Sequence, residues 1–238
     1  MALEVLKKND FENLIKNYKP DIVCVQELKM NSEIPNNYGY YAYYNFALSK
    51  GYSGSMILTK EKPLNVSYNL GLPQFDSEGR FIMLEYSNFY VISIYMPHGG
   101  RNKENHSYKF AAINSLLKLV QSLNKKVFIC TDFNIVHTEL DLKNYKMNYK
   151  NNMFSYEERA KIDELIGLGL KDSFRCLVSD GDIYSMWPNG FNARARNMDW
   201  RIDYIFVSEQ LESSIGKVMY LKEVLGSAHC PYLLEIDL

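Results

Sequence analysis

Segment 192–204 concentrates residue types that bind phosphate and take part in acid–base chemistry. It contains three arginines, Trp200 and Asp203, and it runs directly into an apolar stretch over 205–207. Arginine binds phosphate through paired hydrogen bonds, an indole offers a flat face for stacking, and an acid at a strand start can orient a catalytic partner. Taken alone, the segment is equally consistent with a solvated loop beside a buried strand.

Two further segments place titratable side chains next to predicted buried strands. An apolar run over 127–131 ends in Asp132 and Asn134, and His229 stands shortly before a second apolar run over 232–236. A rigid sheet can aim polar groups that are held at the ends of its strands. A lone aspartate or histidine there would be unremarkable, but the coincidence with the arginine-rich segment predicts a functional site.

Length and charge limit the class of protein. The 238 residues contain no repeat, low-complexity tract or linker-like stretch, so one domain over 1–238 is predicted. Lys plus Arg number 27 and Asp plus Glu number 28. This balance disfavours a protein that coats nucleic acid, but it permits a nuclease that contacts a few phosphates through a local positive field. No apolar run reaches the ~18 residues of a membrane span, so no membrane contact is expected.

Cysteine usage indicates a reducing compartment. Cys24, Cys130, Cys176 and Cys230 lie in or beside apolar runs and show no CxxC spacing. That pattern is typical of buried, reduced thiols and not of zinc ligands or a disulfide framework. The expected location is the cytoplasm, with association to the nucleoid if the protein is prokaryotic.

Hydrophobic periodicity predicts helices alternating with many short strands. Helices are predicted over 6–18, over 103–123, and from a capping box at Ser155 and Glu158 to about residue 166. Strands are predicted over 21–26, 38–46, 53–59, 67–70, 80–86, 89–95, 127–131, 183–185, 202–207, 217–222 and 232–236. Such a mixture suggests two packed sheets covered by outer helices, with strand ends from both halves meeting at one edge.

Eight ordered segments of this sequence resemble the exonuclease III / apurinic-apyrimidinic endonuclease family. They are DIVCVQE at 21–27, GYSG at 51–54, YMP at 95–97, TDFN at 131–134, DSFR at 172–175, NAR at 192–194, WRIDY at 200–204 and HCP at 229–231. The resemblance implies a four-layered α/β sandwich, in which two packed mixed β-sheets are flanked by helices. It also implies Mg²⁺ dependence, with Mn²⁺ as a substitute, and hydrolysis of the DNA backbone 5′ to an abasic site, with 3′-to-5′ exonuclease and 3′-repair activities.

The resemblance also assigns roles within the implied site. The catalytic residues that it implies are Tyr95, Asp132, Asn134, Asp203 and His229. Glu27 is the implied metal ligand, with contributions from Asp132, Asn134 and His229. Asp132 is expected to orient or deprotonate the attacking water, and Asp203 to set the tautomer and charge of His229. Asn134 and Tyr95 are expected to contact the phosphoryl oxygens.

Substrate recognition is implied at two further groups of positions. Met186, Trp200 and Ile202 match a small apolar pocket that takes a flipped abasic sugar and excludes a base-bearing nucleotide, although Met186 is equally consistent with core filling. The implied DNA-contacting residues are His98, Arg101, Asn192 and Arg194. Lys143, Lys146 and Lys150 are more simply explained as solvated loop residues. The implied partner is double-stranded DNA with abasic or 3′-blocked lesions, bound by a monomer.

Two departures from the family pattern bear on activity. This sequence begins just after the position of the family's first strand, so a fold lacking that strand is expected. In addition, Ala228 occupies the position of the acid that usually precedes the family's histidine. One alternative is therefore a catalytically impaired relative that binds damaged DNA. A phosphatase acting on lipid or inositol phosphates is a further alternative, which the segments at 192–194 and 200–204 disfavour.

Overall fold

The secondary structure alternates short strands with helices. The computed structural model describes residues 8–34, 38–187, 194, 196 and 199–238. In chain order the elements are α1 (Lys8–Tyr18), β1 (Ile22–Gln26), β2 (Tyr41–Asn45), β3 (Ser55–Thr59), β4 (Asn65–Ser67), α2 (Pro73–Ser77), β5 (Phe81–Glu85), β6 (Phe89–Tyr95), α3 (His106–Ser122), β7 (Lys126–Asp132), α4 (Tyr156–Gly167), β8 (Leu170–Asp172), α5 (Ser173–Leu177), β9 (Asp203–Ser208), β10 (Ile215–Tyr220) and β11 (Tyr232–Ile236). Short 3₁₀ turns span Glu139–Asp141, Tyr145–Met147 and Glu209–Ser214.

A six-stranded mixed sheet, in the order β4-β5-β6-β7-β9-β8, forms the centre of the molecule. β6 and β7 are parallel, as their connection through α3 requires, and the other pairs are antiparallel. The register puts Tyr95 opposite Asp132, and Asp132 opposite Asp203. Three of the predicted site residues therefore lie side by side where the interior strands β6, β7 and β9 reach one end of this sheet.

Two smaller sheets, β2-β3-β1 and β10-β11, pack on one face of the large sheet. β1 contacts β6 and β7, β11 contacts β9, and residues of both small sheets share one apolar cluster with Val91, Phe128 and Val207. Within the described ranges, no strand pairs with the second edge of β1 or of β11. In the part of the chain that the structure describes, the second layer thus consists of two sheets, where the sequence predicted one.

Helices complete the layers on both outer sides. The opposite face of the large sheet packs Ile92, Ile129 and Phe206 against Ile113 of α3 and Ile162 of α4. On the far side, α1 packs onto the sheet β2-β3-β1 through a separate apolar cluster. The four-layered α/β arrangement predicted from the sequence is therefore confirmed. In the described part of the chain, no helix is long and apolar enough to cross a membrane.

Two predicted strands are wrong. Residues 183–185 form no strand, because the neighbouring backbone groups are used in isolated bridges from Met186 to Trp200 and to His229. The strand predicted over 67–70 lies instead at Asn65–Ser67. Its predicted second half turns away because the Asp76 carboxylate accepts hydrogen bonds from the backbone of Leu70 and Gly71.

The cysteines carry free thiols, as predicted, but their burial differs. Cys230 is buried, whereas Cys24, Cys130 and Cys176 are partly exposed. The prediction of buried thiols therefore holds only for Cys230.

Candidate active site

Three titratable side chains converge where the end of β7 lies beside the start of β9. Asp132 ends β7, Asp203 begins β9, and His229 precedes β11. One ligand atom from each lies within 4.8 Å of the others. The imidazole Nδ1 of His229 is 2.8 Å from Oδ2 and 3.1 Å from Oδ1 of Asp203. The sequence predicted all three residues, and the fold brings them together.

Ser185 holds Asp203 in this orientation, although the sequence analysis gave it no role. Its hydroxyl donates to Oδ2 of Asp203 over 2.6 Å and accepts the backbone N–H of Ile202 and of Asp203. Its carbonyl accepts the backbone N–H of Cys230. Ser185 therefore ties the start of β9 to the loop that carries His229. A lone serine in a polar stretch gives no sequence pattern from which this role could be predicted.

The burial of these groups and their mutual charges shift their pKa values. Burial, partly offset by the charge of His229 and reinforced by the carboxylates of Asp203 and Glu27, raises the pKa of Asp132 to about 7. Burial alone lowers the pKa of His229, but Asp203 and then Asp132 raise it to about 9. Burial likewise raises the pKa of Asp203, but the charge and hydrogen bond of His229 leave it below its usual range. Near neutral pH Asp132 is thus close to the midpoint of its titration, beside a protonated His229.

Glu27 approaches Asp132 from the sheet β2-β3-β1, directly after β1. The preceding residue, Gln26, anchors β1 to the large sheet by donating to Ser93 Oγ over 2.9 Å and to the Cys130 carbonyl over 3.3 Å. Glu27 itself takes a left-handed backbone with φ 53°. Since its charge acts on the pKa of Asp132, the two carboxylates share one electrostatic environment. The predicted metal ligand is therefore placed beside the predicted base.

Tyr95 links Glu27 to the large sheet. Its hydroxyl donates to Glu27 Oε1 over 2.7 Å. Burial, followed by the charges of Asp132 and Glu27, raises the pKa of Tyr95 far above its usual range, so the phenol stays protonated and remains a donor. Arg80 lies over the Tyr95 ring, with its guanidinium carbon 4.4 Å from the ring centroid, and donates to the Tyr95 carbonyl. Arg80 is a buried cation that no motif in the sequence distinguishes.

Asn134 folds back onto Asp132. Its backbone N–H donates to Asp132 Oδ1 over 3.0 Å, and its side-chain amide donates to the Met96 carbonyl over 3.0 Å. The backbone is left-handed at Asn134, with φ 52°, a conformation that asparagine tolerates better than most residues. The carbonyl of Asn134 accepts a hydrogen bond from Lys109 over 2.7 Å. The Asp-x-Asn turn is thus fixed from several sides.

The predicted pocket residues adjoin His229. The backbone of Trp200 bridges to Leu142 and Met186, and Met186 bridges to His229. The side chains of Met186 and Trp200 are half-buried, whereas Ile202 is only 1% exposed. Met186 and Trp200 are therefore partly exposed members of an apolar cluster that has Ile202 in its buried part.

The predicted DNA-contacting residues behave differently from one another. His98 and Arg101 are exposed to solvent. The protein still partly desolvates the His98 ring, and this effect, followed by the charge of Lys109, lowers its pKa and leaves the imidazole neutral near pH 7. Arg194 donates to the carbonyls of Lys222, Val224 and Ser227, so its guanidinium is engaged within the protein. The prediction for Asn192 falls outside the described residues.

The donor set at this edge fits a divalent cation. Asp132 and Asp203 supply carboxylate oxygens, the hard ligands that such cations bind, and Glu27, whose charge acts on Asp132, is the third carboxylate of the site. Asp203 and Asp132 raise the pKa of His229 to about 9, so near neutral pH its ring is a hydrogen-bond donor and not a metal ligand. After burial, the carboxylates of Asp203 and Glu27 also raise the pKa of Asp132, and a bound cation relieves this repulsion. Asp132, Asp203 and His229 form the compact group, with Glu27 reaching it through Tyr95.

The sequence and the fold are similar to those of known nucleases. The model of the Endonuclease/Exonuclease/phosphatase family matches residues 2–223. The chain is 39% identical to an exodeoxyribonuclease of Bacillus subtilis (strain 168), over 98% of this chain and 95% of that protein. It is 34% identical to the DNA-(apurinic or apyrimidinic site) endonuclease of Dictyostelium discoideum, over 98% and 67% respectively. Its fold matches the 3′ phosphatase NExo from Neisseria bound to product DNA hairpin, with a TM-score of 0.91, 26% identity, and coverage of 100% of this chain and 96% of that one. The chain therefore belongs to the endonuclease/exonuclease/phosphatase family, and within it to the exonuclease III / apurinic-apyrimidinic endonuclease branch.

Proposed function

We propose that this protein is a metal-dependent DNA repair nuclease that hydrolyses the phosphodiester 5′ to abasic sites. The observation that carries the proposal is the compact group of Asp132, Asp203 and His229, in which a base and an acid coexist near neutral pH. The names of the relatives, an exodeoxyribonuclease and an abasic-site endonuclease, support the same reaction class.

Hydrolysis of a phosphodiester requires a positioned water, a base to accept its proton and neutralisation of the charge that develops on phosphoryl oxygens. The carboxylate of Asp132 accepts the proton of the attacking water. The Nδ1–H of His229 is bound to Asp203, so its Nε2–H is the group that donates to a phosphoryl oxygen. A divalent cation supplies further charge neutralisation when bound, and the carboxylate-rich donor set supports Mg²⁺, with Mn²⁺ as a substitute.

The proposed substrate is double-stranded DNA with an abasic or 3′-blocked lesion. Met186 and Trp200 adjoin His229 and offer apolar surface to a flipped sugar that lacks a base. The exposed Arg101 and His98 are proposed to contact the backbone nearby. The same site would serve 3′-to-5′ exonuclease and 3′-repair reactions, and the protein is proposed to act as a monomeric single domain.

Incision of an abasic duplex tests the proposal. Wild-type protein should cut 5′ to the abasic site with Mg²⁺ and fail to cut with EDTA. Asp132→Asn should lose incision while still binding the duplex, because it keeps the shape of the side chain but cannot accept the proton. Wild-type protein that binds abasic DNA without cutting it in Mg²⁺ or Mn²⁺ would refute the proposal and favour an impaired relative.

A further inference from the structure

A fully buried ion pair lies behind the Asp132–Asn134 turn. The side chains of Lys109, on α3, and Glu158, on α4, are both 0% exposed, and their Nζ and Oε1 atoms are 2.6 Å apart. Taking two charges out of water costs several kcal/mol per ion, and apolar side chains of similar volume often serve stability equally well. Stability therefore gives little reason for a charged pair at this place, and the contacts of the pair indicate another role.

The ammonium group of Lys109 contacts the reactive turn directly. Besides Glu158, its Nζ donates to the Asn134 carbonyl over 2.7 Å. That carbonyl belongs to a residue with a left-handed backbone, whose N–H holds the Asp132 carboxylate and whose side-chain amide is bound to Met96. A change in the backbone conformation at Asn134 would therefore move both the proposed base and the proposed phosphate contact.

Glu158 is itself fixed by the start of α4. Its Oε2 accepts the backbone N–H of Ser155 over 3.2 Å and the Ser155 hydroxyl over 2.9 Å, which completes a capping box. Its Oε1 accepts a hydrogen bond from Lys109 over 2.6 Å and also lies 3.6 Å from His106 Nε2. The orientation of the ammonium group is thus set by two helices, and through it these helices fix the turn.

We propose that Lys109 is a positioning residue, whose ammonium group, held by Glu158, fixes the Asn134 carbonyl and so aligns Asn134 and Asp132 for hydrolysis. The inference rests on the proposed nuclease function. Lys109 is buried and reaches the turn from behind, so its loss should affect the alignment of reacting groups more than the binding of DNA. A misplacement of about 1 Å can lower turnover on the order of a hundredfold.

Substitutions that separate charge from packing test the inference. K109M removes the donor, and the double variant K109M/E158L replaces the whole pair with apolar side chains, which favours a folded protein. K109R retains the charge. The matched control is K125M, since Lys125 pairs with Glu85 over the same 2.6 Å but is partly exposed and lies at the opposite end of the large sheet.

Expected results are a kcat lowered about tenfold to a hundredfold in K109M and K109M/E158L, with KM for the abasic duplex changed less than about twofold. K109R should recover part of kcat, and K125M should match the wild type. A folded K109M/E158L variant with wild-type kcat would overturn the inference, as would a loss confined to KM.

Hydrogen exchange provides a readout that does not depend on catalysis. The backbone amide of Asn134 should exchange at least about tenfold faster in K109M/E158L, while that of Ile129, in the middle of β7, should be unchanged. If the wild type fails to incise DNA but this difference appears, the proposed function fails and the positioning role stands. Unchanged exchange at Asn134 refutes the positioning role whatever the activity.

Discussion

Replacing Asp203 with Asn removes one negative charge from the site while keeping the shape of the side chain. In the native site both carboxylate oxygens lie close to His229 Nδ1, at 2.8 Å and 3.1 Å, and Oδ2 also accepts the Ser185 hydroxyl. Asparagine can still accept one hydrogen bond at this place. The variant therefore tests the charge of Asp203 more than its packing.

The size of the effect follows from the pKa of His229. Burial lowers this pKa, and Asp203 is the main group that raises it to about 9. Without the carboxylate it should fall to about 6.5 or below, a change worth about 3 kcal/mol between the two protonation states. At pH 7.5 the protonated fraction would then drop from about 97% to about 10%, which is roughly a tenfold loss of the form that donates from Nε2.

The assay is a pH profile of single-turnover incision between pH 5.5 and 9.5. The alkaline limb should move from near pH 9 in the wild type to near pH 6.5 in Asp203→Asn. The matched control is Asp163→Asn, because Asp163 Oδ1 lies 2.8 Å from His137 Nε2 in a similar but exposed pair, and its profile should not change. An Asp203→Asn profile that keeps its alkaline limb near pH 9 would refute the role assigned to the carboxylate.

Three further substitutions test other parts of the site. Ala228→Asp, beside His229, should tighten divalent-cation binding and raise kcat by about fivefold to a hundredfold, the equivalent of about 1–3 kcal/mol for a charge-assisted contact. A titration of incision activity with the cation measures both effects. Unchanged cation affinity and kcat would show that the lack of an acid at position 228 does not limit activity. Trp200→Ala should lower kcat/KM for an abasic duplex by about tenfold or more, as expected for a lost apolar contact of about 1–3 kcal/mol, and a variant with wild-type kcat/KM would argue against the pocket. Asp199 is 1% exposed, its carboxylate has no hydrogen-bond partner among the described residues, and burial raises its pKa to about 7. Because the pKa of Asp199 is higher in the folded than in the unfolded protein, its ionisation lowers the free energy of unfolding as the pH rises from about 4 to 7. The gain in Tm from Asp199→Asn should therefore grow over that pH range and then level off. An equal gain in Tm at pH 4 and pH 8 would contradict this.

Continuous apolar runs made much of the fold predictable from the sequence. The strands Phe89–Tyr95 and Tyr232–Ile236 have the predicted bounds, and the capping box at Ser155 opens α4 as expected. β8 and α5 were missed because elements of three and five residues are too short to show a period. The strand predicted over 183–185 failed because its partners are single bridges to distant segments, which no local pattern records.

The candidate site was predictable where strand ends carry distinctive side chains. Asp132, Asp203 and His229 follow or precede apolar runs, and the sheet register alone brings the two aspartates together. Lys109 could not be singled out, because a lysine on a helix normally faces solvent. Arg194 shows the opposite case: its segment indicated phosphate binding, whereas its guanidinium donates to three backbone carbonyls of the protein itself.

The division of the second layer affects how the active site is held. Glu27 follows β1, and the loop with His229 leads into β11, so the two residues are positioned by different small sheets. Among the described residues, these two sheets are joined to each other through packing on the central sheet and not by strand pairing. A core substitution that lets one small sheet shift would therefore separate Glu27 from His229 while leaving both side chains intact, and turnover would fail at temperatures well below those at which the protein unfolds.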